Sequence, residues 1–182
     1  PVFMITPYHH SVGEAGLVEI DSLSPVYSMR IRNQQVTVHG KNVDEVTCYF
    51  VRAEDSSFFA GVRNPYDTSS LKRDALFFGT AVHRFLSRCG LFQSDELSIM
   101  MQDWEGATMA LHAGRRSVWK MYLTLHNSYD SGSVSEEELI SADIDPFLCQ
   151  GPHPEKMTRA TVLERMLPFV HKPVFTVSRQ FA

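Results

Sequence analysis

The strongest constraint on the fold is a two-residue alternation of apolar and polar side chains between Val26 and Arg63. Such alternation is typical of β-strands that bury one face. The apolar members of the first two strands are Tyr27, Met29, Ile31, Val36 and Val38. A two-residue turn at Asn33-Gln34 would pair Ile31 with Val36 and place all the apolar residues on one face. A slip of one residue would expose half of them, so a well-specified hairpin is predicted.

The chain after this hairpin extends the pattern into a predicted four-stranded antiparallel meander. Residues 46–53 are apolar on nearly both faces, which is typical of a central strand covered on each side. A turn at residues 54–56 leads to a fourth strand at residues 57–63, and Cys48 and Phe50 are expected to share the buried face with Phe58. Short strands are also expected at residues 2–6 and 16–20.

A single amphipathic helix follows the meander. Its buried stripe recurs at spacings of four and three and consists of Leu71, Ala75, Phe78, Val82, Phe85 and Cys89. Thr68, Ser69 or Ser70 can cap its start, and Gly90 supplies a C-terminal stop. Four basic residues lie off the stripe, so the outside of this helix is expected to be basic.

A second antiparallel β unit is predicted after the helix. Residues 97–102 alternate as a strand, and residues 103–106 are interpreted as a turn. Residues 107–113 and 119–123 are then expected to form a hairpin across Gly114-Arg115-Arg116, with Leu111 opposite Trp119.

The C-terminal third is predicted to be helical. Residues 127–135 are rich in serine and glycine and are expected to form a mobile loop, after which Ser135 and Glu138 fit a capping box that opens a helix over residues 136–142. Residues 143–154 are expected to be irregular, with a last helix at residues 155–167 and a closing strand at 174–177. The predicted fold class is therefore α+β, with two antiparallel β-meanders flanking an amphipathic helix, in a single globular domain of residues 1–182.

Bulk properties exclude several classes of protein. The 182 residues carry a net charge of −4, which gives no global attraction to nucleic acid or to anionic membranes. There is no apolar run of the roughly 20 residues that a membrane helix needs. Three widely spaced cysteines and the absence of a recognisable secretory leader predict a cytoplasmic, reducing location.

One candidate binding surface is the polar face of the first meander. Single-stranded nucleic acid is bound by cations that contact phosphates and by aromatic rings that stack on bases. The residues expected to combine these properties on one face are Arg30, Arg32, His39, Tyr49, Phe59 and Arg63. The alternative interpretation is an ordinary solvated sheet face whose arginines reach water.

Other chemistry finds little support in the sequence. His9, His10 and Glu14 lack the spacing of a zinc motif, and no nucleophile or phosphate-binding motif is present, so no metal and no cofactor are predicted. The acidic residues 136–138, with Asp143 and Asp145, could hold a divalent cation, but glutamates in a first helical turn more often stabilise the helix dipole.

The favoured function at this point is a non-catalytic structural or interaction protein. It would act by self-association, as a homodimer by default, or by binding a macromolecular partner. Residues 46–53 contain no lysine or proline and residues 107–113 carry no charge, so few of the features that usually protect sheet edges are present. The first alternative is single-stranded nucleic-acid (RNA) binding, and the second is an enzyme with an unrecognised site. The balance of these observations leans away from an enzyme.

Overall fold

The computed structural model describes residues 2–9, 19–55, 57–59, 70–92, 96–113, 118–126, 132–149 and 159–177. The strands are β1 (Phe3–Pro7), β2 (Tyr27–Ile31), β3 (Gln34–Val43), β4 (Val46–Ala53), β5 (Ser98–Gln102), β6 (Lys120–Leu125) and β7 (Phe175–Thr176). The α-helices are α1 (Leu71–Arg88), α2 (Asp103–Ala107), α3 (Ala110–Ala113), α4 (Glu136–Ser141) and α5 (Val162–Met166). A 3-10 turn, Leu167–Phe169, follows α5.

The first sheet has the strand order β1-β4-β3-β2. Its β2–β3 and β3–β4 pairs are antiparallel, as predicted, but the fourth strand is β1, which pairs with β4 in parallel. The predicted fourth strand is wrong where the structure describes it, because residues 57–59 form a turn; residues 60–63 lie outside the described residues. Parallel pairing with a distant segment leaves no local turn signal in the sequence, which is why the alternation alone could not reveal it.

The β2–β3 hairpin differs from the predicted register by two residues. Ile31 lies opposite Gln34 and Met29 opposite Val36, so the turn is Arg32-Asn33. Arg32 adopts φ 53°, as the first residue of a tight hairpin turn does when the turn follows the strand twist. Because the difference is an even number of residues, the apolar side chains still share one buried face.

The two faces of β4 point into different parts of the core. Val51 and Ala53 belong to the main cluster around α1, whereas Cys48 and Phe50 pack with Tyr8 and Ile20 on the other face of the sheet. The expectation that Cys48 and Phe50 share a face with the apolar residues of β2 and β3 is therefore wrong. The β3–β4 register decides this point, since it places Val51 opposite Val38.

The second sheet is parallel throughout, with the order β5-β6-β7. The predicted hairpin of residues 107–113 and 119–123 is wrong, because helices α2 and α3 occupy residues 103–107 and 110–113 and carry the chain back to a parallel β6. Short apolar runs fit either a buried strand or a buried helix. Here consecutive residues from Ala107 to Leu111 are buried, which a helix packed on several sides allows.

Helix α1 confirms the predicted amphipathic helix and lies deep in the core. Every residue from Ala75 to Val82 is buried, since α1 contacts β2 and β4 on one side and α2 and α3 on the other. The hydroxyl of Thr108, which follows α2, donates a hydrogen bond to the Ala75 carbonyl over 2.6 Å. This close packing joins the two sheets through one helix.

The C-terminal segments are shorter than predicted. The capping box of Ser135 and Glu138 at the start of α4 is confirmed, and Thr161 with Glu164 forms a second one at α5. The predicted helix at residues 155–167 is observed only as α5 and its 3-10 turn, and residues 150–158 lie outside the described residues. Residues 127–131 lie outside them too, so the mobility of that loop stays a prediction. Among the described helices, none has the length and apolar character needed to cross a membrane.

Candidate functional site

Parallel strands β5 and β6 bring three polar side chains together at their carboxyl ends. Gln102, the last residue of β5, lies opposite Thr124 of β6. The residues that follow each strand, Asp103 and His126, therefore meet at the same edge of the sheet. Ligands of open sheets with parallel strands characteristically bind outside these carboxyl ends. We call Gln102, Asp103 and His126 the edge site.

Asp103 is held at the edge site in a demanding backbone conformation. It is the first residue of α2 and has φ 52°, in the left-handed region that few residues other than glycine adopt. Its carboxylate Oδ1 accepts a hydrogen bond from the backbone N–H of His126 over 2.7 Å. The next residue, Trp104, is only 1% exposed and anchors the start of α2 in the core. Backbone conformations of this kind accumulate at functional sites, where the surrounding structure maintains them.

His126 presents its imidazole at the exposed side of the same edge. Its Nε2 lies 2.6 Å from the amide Oε1 of Gln102. Gln102 therefore contacts the ring of His126, while Asp103 contacts the backbone N–H of the same residue. A carboxylate, an imidazole and an amide within one small patch can recognise hydroxyl groups and accept or donate a proton. The edge site therefore has the composition of a site for a polar, hydroxylated ligand.

Sequence reasoning missed the edge site because it assumed antiparallel pairing. The sequence pattern predicts a simple turn at residues 103–106, which assigns no role to Asp103. The signal that could have found the site is the Gln102-Asp103 pair directly after an apolar strand, together with His126 directly after the next one. That signal has meaning only if the two strands are parallel.

The structure does not bring the predicted nucleic-acid-binding residues together. Arg30 is exposed on the sheet face opposite α1, whereas Arg32 lies in the hairpin turn and forms an ion pair with Asp143 at 3.1 Å. His39 is 6% exposed, and its ring nitrogens contact the Leu23 carbonyl and the Thr37 hydroxyl at 3.0 and 3.1 Å. A buried ring with both nitrogens engaged is poorly placed to contact a phosphate.

The two aromatic members of that set face the interior. Tyr49 lies on the α1 side of the sheet, in edge contact with Phe3 and with Phe85 of α1. Phe59 is 2% exposed and packs against Phe77. Arg63 lies outside the described residues. Stacking on a base requires an accessible ring face, which neither aromatic side chain offers.

Other groups that could carry chemistry are accounted for by structural roles. Within the described ranges, no group of three or more His, Cys, Asp or Glu side chains could hold a metal ion; His10 and Glu14 lie outside those ranges. Glu138 completes the cap of α4, and Asp145 accepts a hydrogen bond from the Phe147 backbone N–H over 2.9 Å. Burial raises the pKa of Cys149 to about 12, which makes its thiol a poor nucleophile at neutral pH.

Among solved structures, the chain resembles the "Catalytic domain of Starch Synthase IV from Arabidopsis thaliana bound to ADP and acarbose". The TM-score is 0.57 and the sequence identity 18%, over 82% of this chain and 32% of that chain. The chain thus spans about a third of the length of the solved domain. A search of curated proteins gave no match.

This likeness corrects the predicted α+β fold class with two antiparallel meanders. The fold is Rossmann-like, of the GT-B type found in glycosyltransferases, and is characterised by parallel strands. The parallel pairs β1–β4, β5–β6 and β6–β7 belong to this pattern. The pairs β2–β3 and β3–β4, which dominate the sequence pattern, are antiparallel, and this is why local alternation was misleading about the rest of the fold.

The whole chain, residues 1–182, matches the family model described as the starch synthase catalytic domain. This match overturns the prediction of a non-catalytic protein that functions by protein binding or self-association, and also the alternative function of nucleic-acid (RNA) binding. Whether the protein forms a homodimer stays a prediction. The leaning away from an enzyme is wrong as well, because the family consists of glycosyltransferases. The groups of the edge site stand at the ends of two strands that are distant in sequence, so a search for short motifs could not find them. The chain belongs to the family of starch synthase catalytic domains.

Proposed function

We propose that this chain forms part of the catalytic domain of a glycosyltransferase that transfers a glucosyl group from a nucleoside diphosphate sugar to an α-glucan acceptor. Two observations support the proposal. The family model matches residues 1–182. The related solved structure carries ADP, which is a nucleoside diphosphate, and acarbose, which is a chain of linked sugar-like rings.

The edge site is the part of this chain that we assign to substrate. During transfer, the bond between the anomeric carbon and the diphosphate oxygen breaks, and a bond forms between that carbon and an acceptor oxygen. The diphosphate leaves with the electron pair of the broken bond, and the proton of the acceptor hydroxyl passes to the leaving diphosphate or to solvent. A sugar presents many hydroxyl groups, so its binding requires clustered acceptors and donors such as Asp103, His126 and Gln102.

The geometry at Asp103 and His126 is the single observation that carries the assignment. The 2.7 Å hydrogen bond from the His126 backbone N–H to the Asp103 carboxylate fixes one residue relative to the other, so both present polar atoms from one rigid edge. Rigid placement matters for catalysis because preorganised groups need not be reoriented during the reaction. The remaining groups of a complete site are expected from chain beyond these 182 residues, since the solved domain is about three times longer than the part matched here.

The test is an initial-rate assay of the full protein with ADP-glucose and a linear α-glucan oligosaccharide. His126→Ala and Asp103→Asn should each lower kcat/KM by about 100-fold, the usual scale for losing one well-placed polar group in an active site. Asp44→Asn is the matched control, because Asp44 lies in the β3–β4 turn of the other sheet, and asparagine tolerates its φ of 54°. Wild-type rates in both site variants would overturn the edge-site assignment. A wild-type protein that transfers glucose from no nucleoside diphosphate sugar would overturn the activity.

We also propose an intracellular, reducing location for the protein. Cys48, Cys89 and Cys149 are all free thiols, which supports a compartment where disulfides do not form. The proposed glycosyltransferase activity implies two kinds of partner, nucleoside diphosphate sugars and an α-glucan.

A further inference from the structure

The contact between His126 and Gln102 determines which ring nitrogen carries the proton. The two atoms, His126 Nε2 and Gln102 Oε1, are 2.6 Å apart. An amide oxygen can only accept a hydrogen bond, so Nε2 must be the donor. In a neutral imidazole the other nitrogen, Nδ1, then has a free lone pair and acts as the acceptor.

We propose that Gln102 is a positioning residue that holds His126 in the Nε2–H form and thereby makes Nδ1 the proton-accepting atom of the edge site. The ligand that Nδ1 would meet is a sugar hydroxyl, and this consequence rests on the proposed function. The ring form itself does not, because it is inferred from the contact between His126 Nε2 and Gln102 Oε1.

The architecture of the β5–β6 edge supports a dedicated role for Gln102. Two consecutive residues contact different parts of His126. The Gln102 side chain contacts the imidazole, and the Asp103 carboxylate accepts a hydrogen bond from the backbone N–H. Backbone position and ring orientation are therefore restrained separately. Partners that orient metal-bound imidazoles in this way change metal affinity or activity by about 10- to 100-fold when they are removed, and we expect an effect at the lower end of this range for Gln102.

A neutral amide is suited to this task. An aspartate or glutamate at the same place would accept the Nε2 hydrogen but would also favour the charged imidazolium, in which both nitrogens donate and neither accepts. Glutamine orients the neutral ring without adding a negative charge. The edge site already has one carboxylate in Asp103, and its Oδ1 is bound to the backbone of His126 rather than to its ring.

The first test reads the ring directly, by long-range nitrogen–proton NMR of the ¹⁵N-labelled full protein above pH 8, with the His126 signals assigned from their loss in His126→Asn. We expect the wild-type ring to show Nε2–H. Gln102→Leu should shift His126 toward a mixture with Nδ1–H, and Gln102→Glu, which keeps an acceptor oxygen, should retain Nε2–H. A wild-type ring with Nδ1–H, or an unchanged ring in Gln102→Leu, would overturn the proposal.

The second test measures transfer rates of the same proteins. Gln102→Leu should lower kcat by at least about tenfold, with Gln102→Glu recovering part of the loss at high pH, where a charged imidazolium is disfavoured. Gln35→Leu is the matched control, since Gln35 is an exposed strand glutamine in the other sheet. If the ring changes as expected but Gln102→Leu keeps the wild-type rate, the positioning role is overturned. If the wild type has no transferase activity, the proposed function fails, whereas the NMR result still decides the ring form.

Discussion

The imidazole rings of His83 and His112 stack on each other inside the protein, with centroids 5.0 Å apart and 14° between their planes. The Thr80 hydroxyl donates its one hydrogen to the Ala142 carbonyl over 2.6 Å, so His112 Nε2, at 2.7 Å, donates to the Thr80 oxygen. Burial, reinforced by the positive charge of Arg84, lowers the pKa of His83 to about 4 and that of His112 to about 3. Both rings are therefore neutral in the folded protein at neutral pH.

The stacked pair should make the protein sensitive to acid. Both histidines have a folded pKa below the unfolded value of about 6.5, so the unfolded state binds more protons between these values, and stability is lost as pH falls. Each histidine contributes a slope of about 1.4 kcal/mol per pH unit between roughly pH 6 and pH 4. Urea unfolding at a series of pH values measures this slope.

The same unfolding experiment on variants separates the contribution of His83 and His112 to the pH slope from that of the carboxylates, which also bind protons as the pH falls. His83→Phe retains a ring against His112 but cannot be protonated, so it should reduce the slope by about one proton. Gln35→Leu, which replaces an exposed and uncharged strand residue, is the control and should leave the slope unchanged. Parallel pH curves for wild type and His83→Phe would show that His83 is not buried in its neutral form.

Gly79 should tolerate no side chain, although it lies in the middle of helix α1. A Cβ built there would lie 2.4 Å from Thr108 Oγ1 and 2.6 Å from the Met109 backbone nitrogen. Alanine favours a helix by about 1 kcal/mol over glycine, but the clash with backbone atoms should outweigh this gain. We expect Gly79→Ala to destabilise the protein by at least about 2 kcal/mol in equilibrium denaturation.

Gly106 supplies the matched control in the neighbouring helix α2. A Cβ at Gly106 meets no atom within 4 Å, so Gly106→Ala should be neutral or stabilising by up to about 1 kcal/mol. Equal effects of the two substitutions would contradict the close approach of α1 to the segment after α2.

Asp143 should connect the hairpin turn to helix α1 through charge. Its carboxylate forms ion pairs with Arg32, at 3.1 Å, and with Arg84. Asp143 has φ 62°, which asparagine also tolerates, so Asp143→Asn removes the charge with little backbone strain. Since Arg32 is half exposed, we expect a loss of only about 1–2 kcal/mol, which decreases in molar salt. Asp145→Asn, which keeps the acceptor for the Phe147 N–H, should show neither effect.

The three thiols should differ in reactivity toward a thiol reagent such as Ellman's reagent. Cys89 is partly exposed near the end of α1, whereas Cys48 and Cys149 are buried. The Cys149 thiol, with its pKa raised to about 12, also lies 3.3 Å from the Leu111 carbonyl. One thiol should react in the native protein at pH 8 and three after unfolding, and Cys89→Ser should abolish the native reaction. Rapid reaction of Cys149 in the folded protein would contradict its burial.

Local features of this fold could be predicted because short-range physics determines them. The β2–β3 hairpin, helix α1 and the Ser135–Glu138 capping box each depend on residues within a few positions of one another. Apolar periodicity selects the element, and a turn or capping residue ends it. Even the two-residue error in the hairpin register left the buried face unchanged, since side chains alternate with a period of two.

Pairings between distant segments could not be predicted from these patterns. β1 lies beside β4 in parallel, and residues 107–113 form helical structure rather than a strand. An apolar run of that length is compatible with both states, and the choice depends on which surface is available to bury it. In this protein, that surface is α1, where Gly79 permits the close approach of Thr108.

The amino-acid sequence by itself determined the β2–β3 hairpin with its single buried face, the long helix α1 and the end of that helix. The tertiary structure alone decided the parallel direction of β5 and β6, and this direction brings Gln102 and Asp103 to His126. The physical reason is that strand direction depends on the path of the connecting chain and the burial of the crossover helices, which no local alternation encodes. The three residues of the edge site therefore come together only in the folded protein, and their positions in the sequence do not show that they are neighbours.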